Sequence, residues 1–209
     1  MTPSRARRWL RGYQYLVPEP TGVRMGESGP VVLGSEDLGA SFLDLVELLL
    51  VKSLVEEGLS LQRVRKVVAE AKQVVGLDHP LAHRSFYLMG QRVFLDVAQS
   101  EGGAMLEMLS GGQLAFAEVV SSVASQLDFS ESVGFAERYW PLGKTAPILI
   151  DPLVAFGSPC IEGTGVRTGV IYDFYVAEGE SVSKAADWFR VSEEAVALAA
   201  SFEGGMRAA

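Results

Sequence analysis

Two neighbouring stretches with helical periodicity constrain the fold of this chain more than any other feature of its sequence. In residues 41–57 and 60–75 the apolar residues recur every three or four positions, which is the spacing of one helix face. Ser41 and Asp44 have the spacing of a capping box, and Gly58 is placed to end the first helix. The short Gly-Leu-Ser connection between them predicts two helices packed as an antiparallel or crossed pair.

The residues before this pair are rich in proline and glycine, which breaks any long helix. TPSRARRWLRGY predicts a short helix capped by Ser4, anchored by Trp9 and ended by Gly12. The apolar runs Tyr13–Val17 and Pro30–Leu33 then predict two short strands that form a hairpin, or wing. Further along the chain, Gly90 predicts the tight turn of a second hairpin. The strands of this second hairpin are expected at Phe86–Leu88 and Arg92–Leu95.

The second half of the chain begins with a helix predicted from Gln113 to Leu127 and a strand predicted at Ile148–Ile150. Its last sixty residues predict a compact three-helix unit, with helices at Thr168–Glu178, Ser181–Phe189 and Ser192–Phe202. Helices with this spacing are typical of a helix-turn-helix, although a generic helical mini-domain fits the same pattern.

The charge of the chain is unevenly distributed. The whole sequence of 209 residues carries a net charge of -8, which disfavours nucleic acid as a partner. Residues 1–92, however, hold 12 Lys and Arg against 10 Asp and Glu, a net +2, whereas the remainder holds 6 against 16, a net -10. We therefore expect the two halves to bind different partners. The basic clusters of the first half are also what solvated helix faces look like, and this alternative stays open.

Cysteine usage and hydropathy point to the cytoplasm. The single cysteine, Cys160, cannot form an intramolecular disulfide or a thiolate metal cluster. No apolar run approaches the roughly 20 residues that span a bilayer, and the arginine-rich start lacks the apolar segment of a secretory signal. We expect a cytoplasmic protein with no membrane partner.

The sequence lacks the constellations that enzymes need. His79 and His83 have helical ligand spacing, but Pro80 lies between them and no HExxH glutamate accompanies them. Cys160 has no neighbouring histidine to activate it, and neither a GxxxxGK[ST] nor a strand-linked GxGxxG motif is present. We therefore expect no catalytic residues, no metal, no cofactor and no enzymatic activity.

The segment 151–203 contains GSPCIEGTGV followed by three helical stretches separated by a glycine turn and a short connection. This pattern resembles a widespread small bacterial antitoxin family with a proline-bearing loop and a G-T-x-[VI] turn. Longer members of the VapB class accompany PIN-type ribonuclease toxins and add an N-terminal helix-turn-helix domain. The stretch FLDLVELLLVKSLVEEGLSLQRVRKVVAEAKQ is similar to the helical hairpin that follows the wing in MerR-like winged-helix domains, and GLDHPLAHRSFYLMGQRVFL continues as in VapB-like antitoxins.

The resemblance implies a mainly α fold with short β-hairpins: a truncated MerR-like winged helix-turn-helix and a C-terminal three-helix helix-turn-helix unit. The expected domains are a DNA-binding region at 1–97, a helical linker at 98–146 and an antitoxin domain at 147–209. RARRWLRGY resembles the recognition helix, and because it begins only a few residues after Met1, we expect its supporting helix to be missing from this sequence.

The implied function is that of a homodimeric type II antitoxin that neutralises a PIN-type ribonuclease toxin and autoregulates its operon by binding operator DNA. The expected DNA contacts are eight of the basic residues of the first half: Arg5, Arg7, Arg8, Arg11, Arg24, Arg63, Arg65 and Lys66. Arg190 or Arg207 is expected to contact the toxin. Two alternatives stay open, a MerR-like repressor unconnected with a toxin and a protein-binding adaptor without DNA affinity.

Overall fold

The structure, a computed structural model, describes residues 1–32, 39–89, 93 and 106–208. Over these residues the fold is mainly helical with short antiparallel strand pairs, as predicted. The chain forms two compact units: unit 1 comprises Met1–Ala124 and Glu131–Ala136, and unit 2 comprises Ser125–Ser130 and Glu137–Ala209. The boundary predicted at residue 97 lies outside the described residues, and the segment predicted as a linker contributes to both units.

Unit 1 begins with helix α1, Pro3–Arg11, and a hairpin of strands β1, Tyr13–Glu19, and β2, Gly22–Ser28. The cap of α1 is Thr2, whose side chain accepts a hydrogen bond from the Arg5 amide at 3.4 Å, and not Ser4 as predicted. Cross-strand pairing runs from Tyr13 opposite Ser28 to Glu19 opposite Gly22. The second strand predicted at Pro30–Leu33 is therefore wrong over residues 30–32, because a two-residue Pro20-Thr21 turn brings the chain back earlier. Leu33 lies outside the described residues.

The helical pair follows as the sequence predicts, with α2 at Phe42–Glu56 and α3 at Leu61–Val75. The capping box is formed: Ser41 Oγ accepts from the Asp44 amide at 3.0 Å, and Asp44 Oδ2 accepts from the Ser41 amide at 2.7 Å. The two helices bury apolar faces that include Val46, Leu50 and Val64. A 3₁₀ turn at Pro80–Ala82 then packs against both helices.

The strand predicted at Phe86–Leu88 is wrong, because residues 84–89 are helical and Phe86 is fully buried on one side of that helix. The rest of that predicted hairpin lies outside the described residues, apart from position 93. Helix α4 then runs from Leu106 to Ser125, starting before the predicted residue 113 and continuing through two adjacent glycines. Among the described helices, none combines the length and apolar character needed to cross a bilayer.

Unit 2 combines short strands with three helices. Its strands are β3 at Leu127–Phe129, β4 at Ala136–Tyr139, β5 at Ile148–Leu149 and β6 at Cys160–Ile161. The first residue of β4 is assigned to unit 1. The helices of unit 2 are α5 at Thr168–Ala177, α6 at Val182–Phe189 and α7 at Glu193–Arg207. The first two are close to the predicted bounds, and the third continues beyond the predicted end at Phe202. Small and branched side chains from all three helices form the core with β5 and β6.

The glycine-rich loop before α5 owes its shape to a threonine. The Thr164 hydroxyl donates to the Ile161 carbonyl oxygen at 2.9 Å and accepts from the Val166 amide at 3.1 Å, which closes the turn. The buried Thr168 hydroxyl donates to the Glu203 carboxylate and thereby joins the start of α5 to α7. Polar side chains thus fix both ends of this segment.

Candidate nucleic-acid interface

The basic residues of α1 lie on one side of the helix. At about 100° per residue they fall within an arc of roughly 160°. The arc comprises Arg5, Arg7, Arg8 and Arg11, all of them exposed. The opposite side carries Ala6, Trp9 and Leu10, which are half-buried or buried. The helix therefore presents four guanidinium groups on one side, while its other side packs against the rest of unit 1.

The four arginines differ in their surroundings. The Arg5 guanidinium lies 4.8 Å from the centre of the Trp9 ring, and that of Arg8 lies 5.5 Å from the centre of the Tyr13 ring. Both line a cavity of about 420 Å³ beside the start of α3. For Arg7 and Arg11, the described part of the chain supplies no carboxylate partner. Their charge is thus available to an external anion.

Helix α1 is anchored at its C-terminal end. Trp9 is only 4% exposed, and its carbonyl oxygen accepts hydrogen bonds from the amides of Val31 at 2.7 Å and Val32 at 3.2 Å. Gly12 has a φ of +72°, and a Cβ there would press against the Ser28 carbonyl oxygen. The chain leaving the hairpin therefore holds the helix in place.

The hairpin contributes one of the predicted DNA contacts. Arg24 Nε lies 3.0 Å from Glu19 Oε1, in a pair whose side chains are 65% and 46% exposed. Such exposed pairs contribute little free energy, so an external phosphate could displace Glu19 at small cost. The same hairpin exposes Leu16, Val23 and Met25, which share one face by the cross-strand register.

The basic cluster of α3 does not act as one group. Arg65 Nη2 donates to Ser28 Oγ at 2.7 Å and to the Gly29 carbonyl oxygen at 3.0 Å, so this guanidinium holds the end of β2 against α3. Lys66 is exposed and Arg63 is half-buried, and both also interact with other parts of the chain. Arg65 thus has an intramolecular role that the sequence pattern alone did not indicate.

The two arginines predicted to contact a toxin lie at opposite ends of α7. Arg190 is exposed and ends α6 in a left-handed conformation with a φ of 56°. Arg207 Nη2 pairs with Asp173 Oδ1 at 2.8 Å, and its guanidinium lies 4.4 Å from the centre of the Tyr172 ring. Helix α7 is about 20 Å long, so these two arginines do not form one patch.

Helices α6 and α7 are joined by the three residues Arg190–Ser192, and Ser192 Oγ accepts from the Ala195 amide at 3.1 Å. This short turn positions α7 as the second helix of the pair. Its first turn carries two exposed carboxylates, Glu193 and Glu194. They suit the positive end of the helix dipole but would repel phosphate.

Unit 2 also exposes apolar side chains that the sequence pattern did not single out. Leu153 and Phe156 are each 94% exposed, and Ala155 and Phe156 both adopt positive φ angles. Trp188 is 71% exposed and stacks on Phe174 with 5.4 Å between ring centres. Exposed apolar side chains on strained backbone are typical of binding surfaces.

Cys160, His79 and His83 are of residue types that can support catalysis or metal binding, and each has different neighbours. Burial raises the pKa of the Cys160 thiol, and the charge of Asp151 adds to the effect, so the thiol stays protonated at neutral pH. His83 Nε2 lies 3.0 Å from the Val133 carbonyl oxygen, whereas His79 lies beside Asp44 and Glu47. The structure thus places the two histidines with different partners.

The chain is similar to a protein family over its C-terminal part and to a solved structure over most of its length. Residues 148–202 match a family described as protein of unknown function, DUF433. No curated protein matches the chain. The chain is also similar to the crystal structure of Rv2018 from Mycobacterium tuberculosis, with a TM-score of 0.61 and 20% identity over 88% of this chain and 83% of that chain. This similarity concerns the fold alone.

Proposed function

We propose that this protein is a cytoplasmic, homodimeric antitoxin in which unit 1 binds operator DNA and unit 2 binds a PIN-type ribonuclease toxin. The observation that carries the DNA-binding part is the arc of four exposed arginines on α1, opposite its anchored face. In this proposal α1 enters the groove, and the β1–β2 hairpin acts as the wing of a MerR-like winged helix-turn-helix.

Unit 1 is a better DNA-binding surface than unit 2 on electrostatic grounds. Phosphate contacts require cationic side chains that can replace condensed counterions. Arg7 and Arg11 meet this requirement, because their guanidinium groups are exposed and the described residues offer them no carboxylate. In unit 2 the equivalent position of a recognition helix carries Glu193 and Glu194. We therefore assign the operator contact to unit 1.

The DNA-binding proposal predicts a strong dependence on salt. We expect the full chain to bind a duplex from upstream of its own reading frame with an affinity that falls steeply between about 50 and 200 mM salt. Each phosphate contact adds about 0.9 to the slope of log affinity against log salt. Fluorescence anisotropy measures both quantities. Binding that ignores salt, or no binding by a dimeric preparation, contradicts the proposal.

A pair of matched double variants tests the arginine arc. Arg7→Ala with Arg11→Ala should weaken binding at least tenfold and reduce the salt slope by about 2, because two phosphate contacts are lost. Lys184→Ala with Arg190→Ala removes the same charge from exposed positions of unit 2 and should leave the slope unchanged. Equal losses in the two double variants would attribute binding to net charge alone.

The toxin-binding part is supported by the exposed apolar side chains and the acidic charge of unit 2. An anionic surface suits a ribonuclease, whose RNA-binding surface is basic. We expect the toxin encoded by the neighbouring reading frame to co-purify with the full chain. We also expect the full chain to relieve the growth arrest that this toxin causes. Leu153→Ala with Phe156→Ala should abolish both effects, whereas Val133→Ala, an exposed apolar position of unit 1, should not.

These experiments also separate the alternatives. DNA binding without toxin binding would leave a MerR-like repressor, and toxin binding without DNA binding would leave a protein-binding adaptor. Arg190→Ala and Arg207→Ala, tested singly, determine whether either arginine contacts the toxin. Because Arg207 already pairs with Asp173, we expect the larger effect from Arg190.

A further inference from the structure

Three side chains that are distant in sequence meet inside unit 1. Asp44 and Glu47 are three positions apart on α2 and therefore project from the same side of that helix. His79 immediately precedes the 3₁₀ turn at Pro80–Ala82. Asp44 is 0% exposed and Glu47 is 1% exposed, while the His79 side chain is 21% exposed and forms the solvent side of the cluster.

Backbone amides hold both carboxylates in place. Asp44 Oδ2 accepts from the Ser41 amide at 2.7 Å, and Glu47 Oε1 accepts from the Leu81 amide at 3.0 Å. Each carboxylate thus keeps its other oxygen for the cluster. Asp44 Oδ1 is fully buried and has no hydrogen-bond partner, although buried carboxylate oxygens are normally satisfied. A buried carboxylate oxygen with this geometry is suited to binding a cation.

The distances fit a single bound ion. His79 Nδ1 lies 3.3 Å from Glu47 Oε2 and 3.8 Å from Asp44 Oδ1. One ligand atom from each of the three residues lies within 4.8 Å of the others. Nitrogen and oxygen ligands bind zinc at about 2.0 to 2.2 Å, which places the ligand atoms of a tetrahedral site roughly 3.3 to 3.6 Å apart. The cluster reaches this geometry with shifts below about 1 Å.

The charge balance favours a divalent cation. Two carboxylates with a neutral imidazole carry two negative charges in a buried site, and burying uncompensated charge is costly.

We propose that Asp44, Glu47 and His79 bind one divalent transition-metal ion of the zinc class, which joins α2 to the turn at Pro80–Ala82. Imidazole nitrogen favours such ions over magnesium or calcium, and the two carboxylates neutralise the charge. The three protein ligands leave one position for water. Because the ion links residues about 30 positions apart, it stabilises unit 1. The site is independent of the arginine arc.

The test uses the full chain freed of metal with a chelator. Titration with Zn²⁺ followed by calorimetry should give one ion per chain, and the melting temperature should rise on binding. Co²⁺ in place of Zn²⁺ should produce visible absorption bands of a site with nitrogen and oxygen ligands. Absence of binding heat together with an unchanged melting temperature in excess Zn²⁺ would overturn the proposal.

Conservative variants locate the ion. Asp44→Asn and His79→Gln keep hydrogen-bonding capacity and should each weaken binding at least tenfold. Asp78→Asn, an exposed neighbour that pairs with Lys72, and His83→Gln should bind as the wild type does. Equal weakening in the controls contradicts the site. If the cluster variants do not fold, X-ray absorption of the zinc-loaded wild type decides: one imidazole with oxygen ligands supports the site, and sulfur or several imidazoles refute it.

Discussion

The cationic side chains of unit 1 differ in whether they already have a hydrogen-bond or ion-pair partner within the protein. Arg65 donates to Ser28 and Gly29, and Arg24 pairs with Glu19. Arg7 and Arg11 are exposed on α1 and find no carboxylate within the described segments. Residue type does not distinguish these cases, because the partner atoms come from other elements. Affinity and stability should therefore respond to different arginines.

Arg65→Ala tests the structural role of that side chain. Losing two hydrogen bonds from a charged donor should lower the free energy of unfolding by about 2 kcal/mol. The salt slope of DNA binding should change less than for Arg7→Ala with Arg11→Ala. Urea unfolding measures the first quantity, with Gln62→Ala, an exposed neighbour on α3, as the control. A reduced slope without a stability loss would make Arg65 a phosphate contact.

Asp128 should make unit 2 sensitive to acid. Burial acts to raise the pKa of this carboxyl, but hydrogen bonds from Lys144 Nζ at 2.6 Å and Trp140 Nε1 at 3.1 Å outweigh it and lower the pKa. A carboxyl whose pKa is lower in the folded state stabilises the protein at any pH above its pKa in the unfolded state, which is about 3.9. This stabilisation is lost as the pH falls through the pKa of the folded state.

The corresponding variant is Asp128→Asn. It should be less stable than the wild type at pH 7, and the difference should shrink as the pH falls below about 4. Unfolding curves across this range measure the difference. Glu137→Gln, an exposed carboxylate of the same unit, serves as the control. A difference that is constant with pH would show that the carboxylate charge contributes nothing.

At the scale of secondary-structure elements, caps and apolar spacing were predictable because they depend on residues a few positions apart. The capping box at Ser41, the helix starts at Ser181 and Ser192 and the three C-terminal helices were all predicted from such local patterns. The strand at Phe86–Leu88 was predicted wrongly, because a short apolar run fits a buried helix as well as a strand.

Helix α1 depends on one tertiary anchor. At nine residues it is too short to be stable alone, and Trp9 provides its buried contact. Trp9→Ala should lower the unfolding free energy by about 3 kcal/mol and abolish DNA binding although all four arginines remain. Leu16→Ala, which trims an exposed side chain, should leave stability unchanged. Intact binding by Trp9→Ala would exclude α1 as the positioned recognition element.

At the scale of the whole molecule, the charge split and the two compact units divide the chain at different places. The net charge changes sign between the halves near residue 92, whereas unit 2 begins at Ser125 and loses residues 131–136 to unit 1. Residues 126–130 and 137–140 belong to unit 2, in which Tyr139 and Ile150 exchange backbone hydrogen bonds of 2.9 and 2.8 Å. Composition alone therefore does not locate the domain boundary.

This organisation predicts how fragments of unit 2 behave. A fragment of residues 125–209 should unfold cooperatively, whereas 147–209 should unfold at lower temperature because it lacks Asp128, Tyr139 and Trp140. Thermal unfolding followed by circular dichroism compares them, with the full chain as reference. Equal melting temperatures would place the boundary at residue 147, as the sequence resemblance implied.

The sequence by itself determined most local features of this protein: the capping box of α2, the amphipathic faces, the cluster of arginines at the start and the asymmetry of charge. Only the tertiary structure decided which polar groups meet. Arg65 reaches Ser28, and His79 reaches Asp44 and Glu47, across separations of more than 30 residues. Helical spacing reports which residues share a face, but it carries no information about the facing element, whose position depends on how the whole core packs.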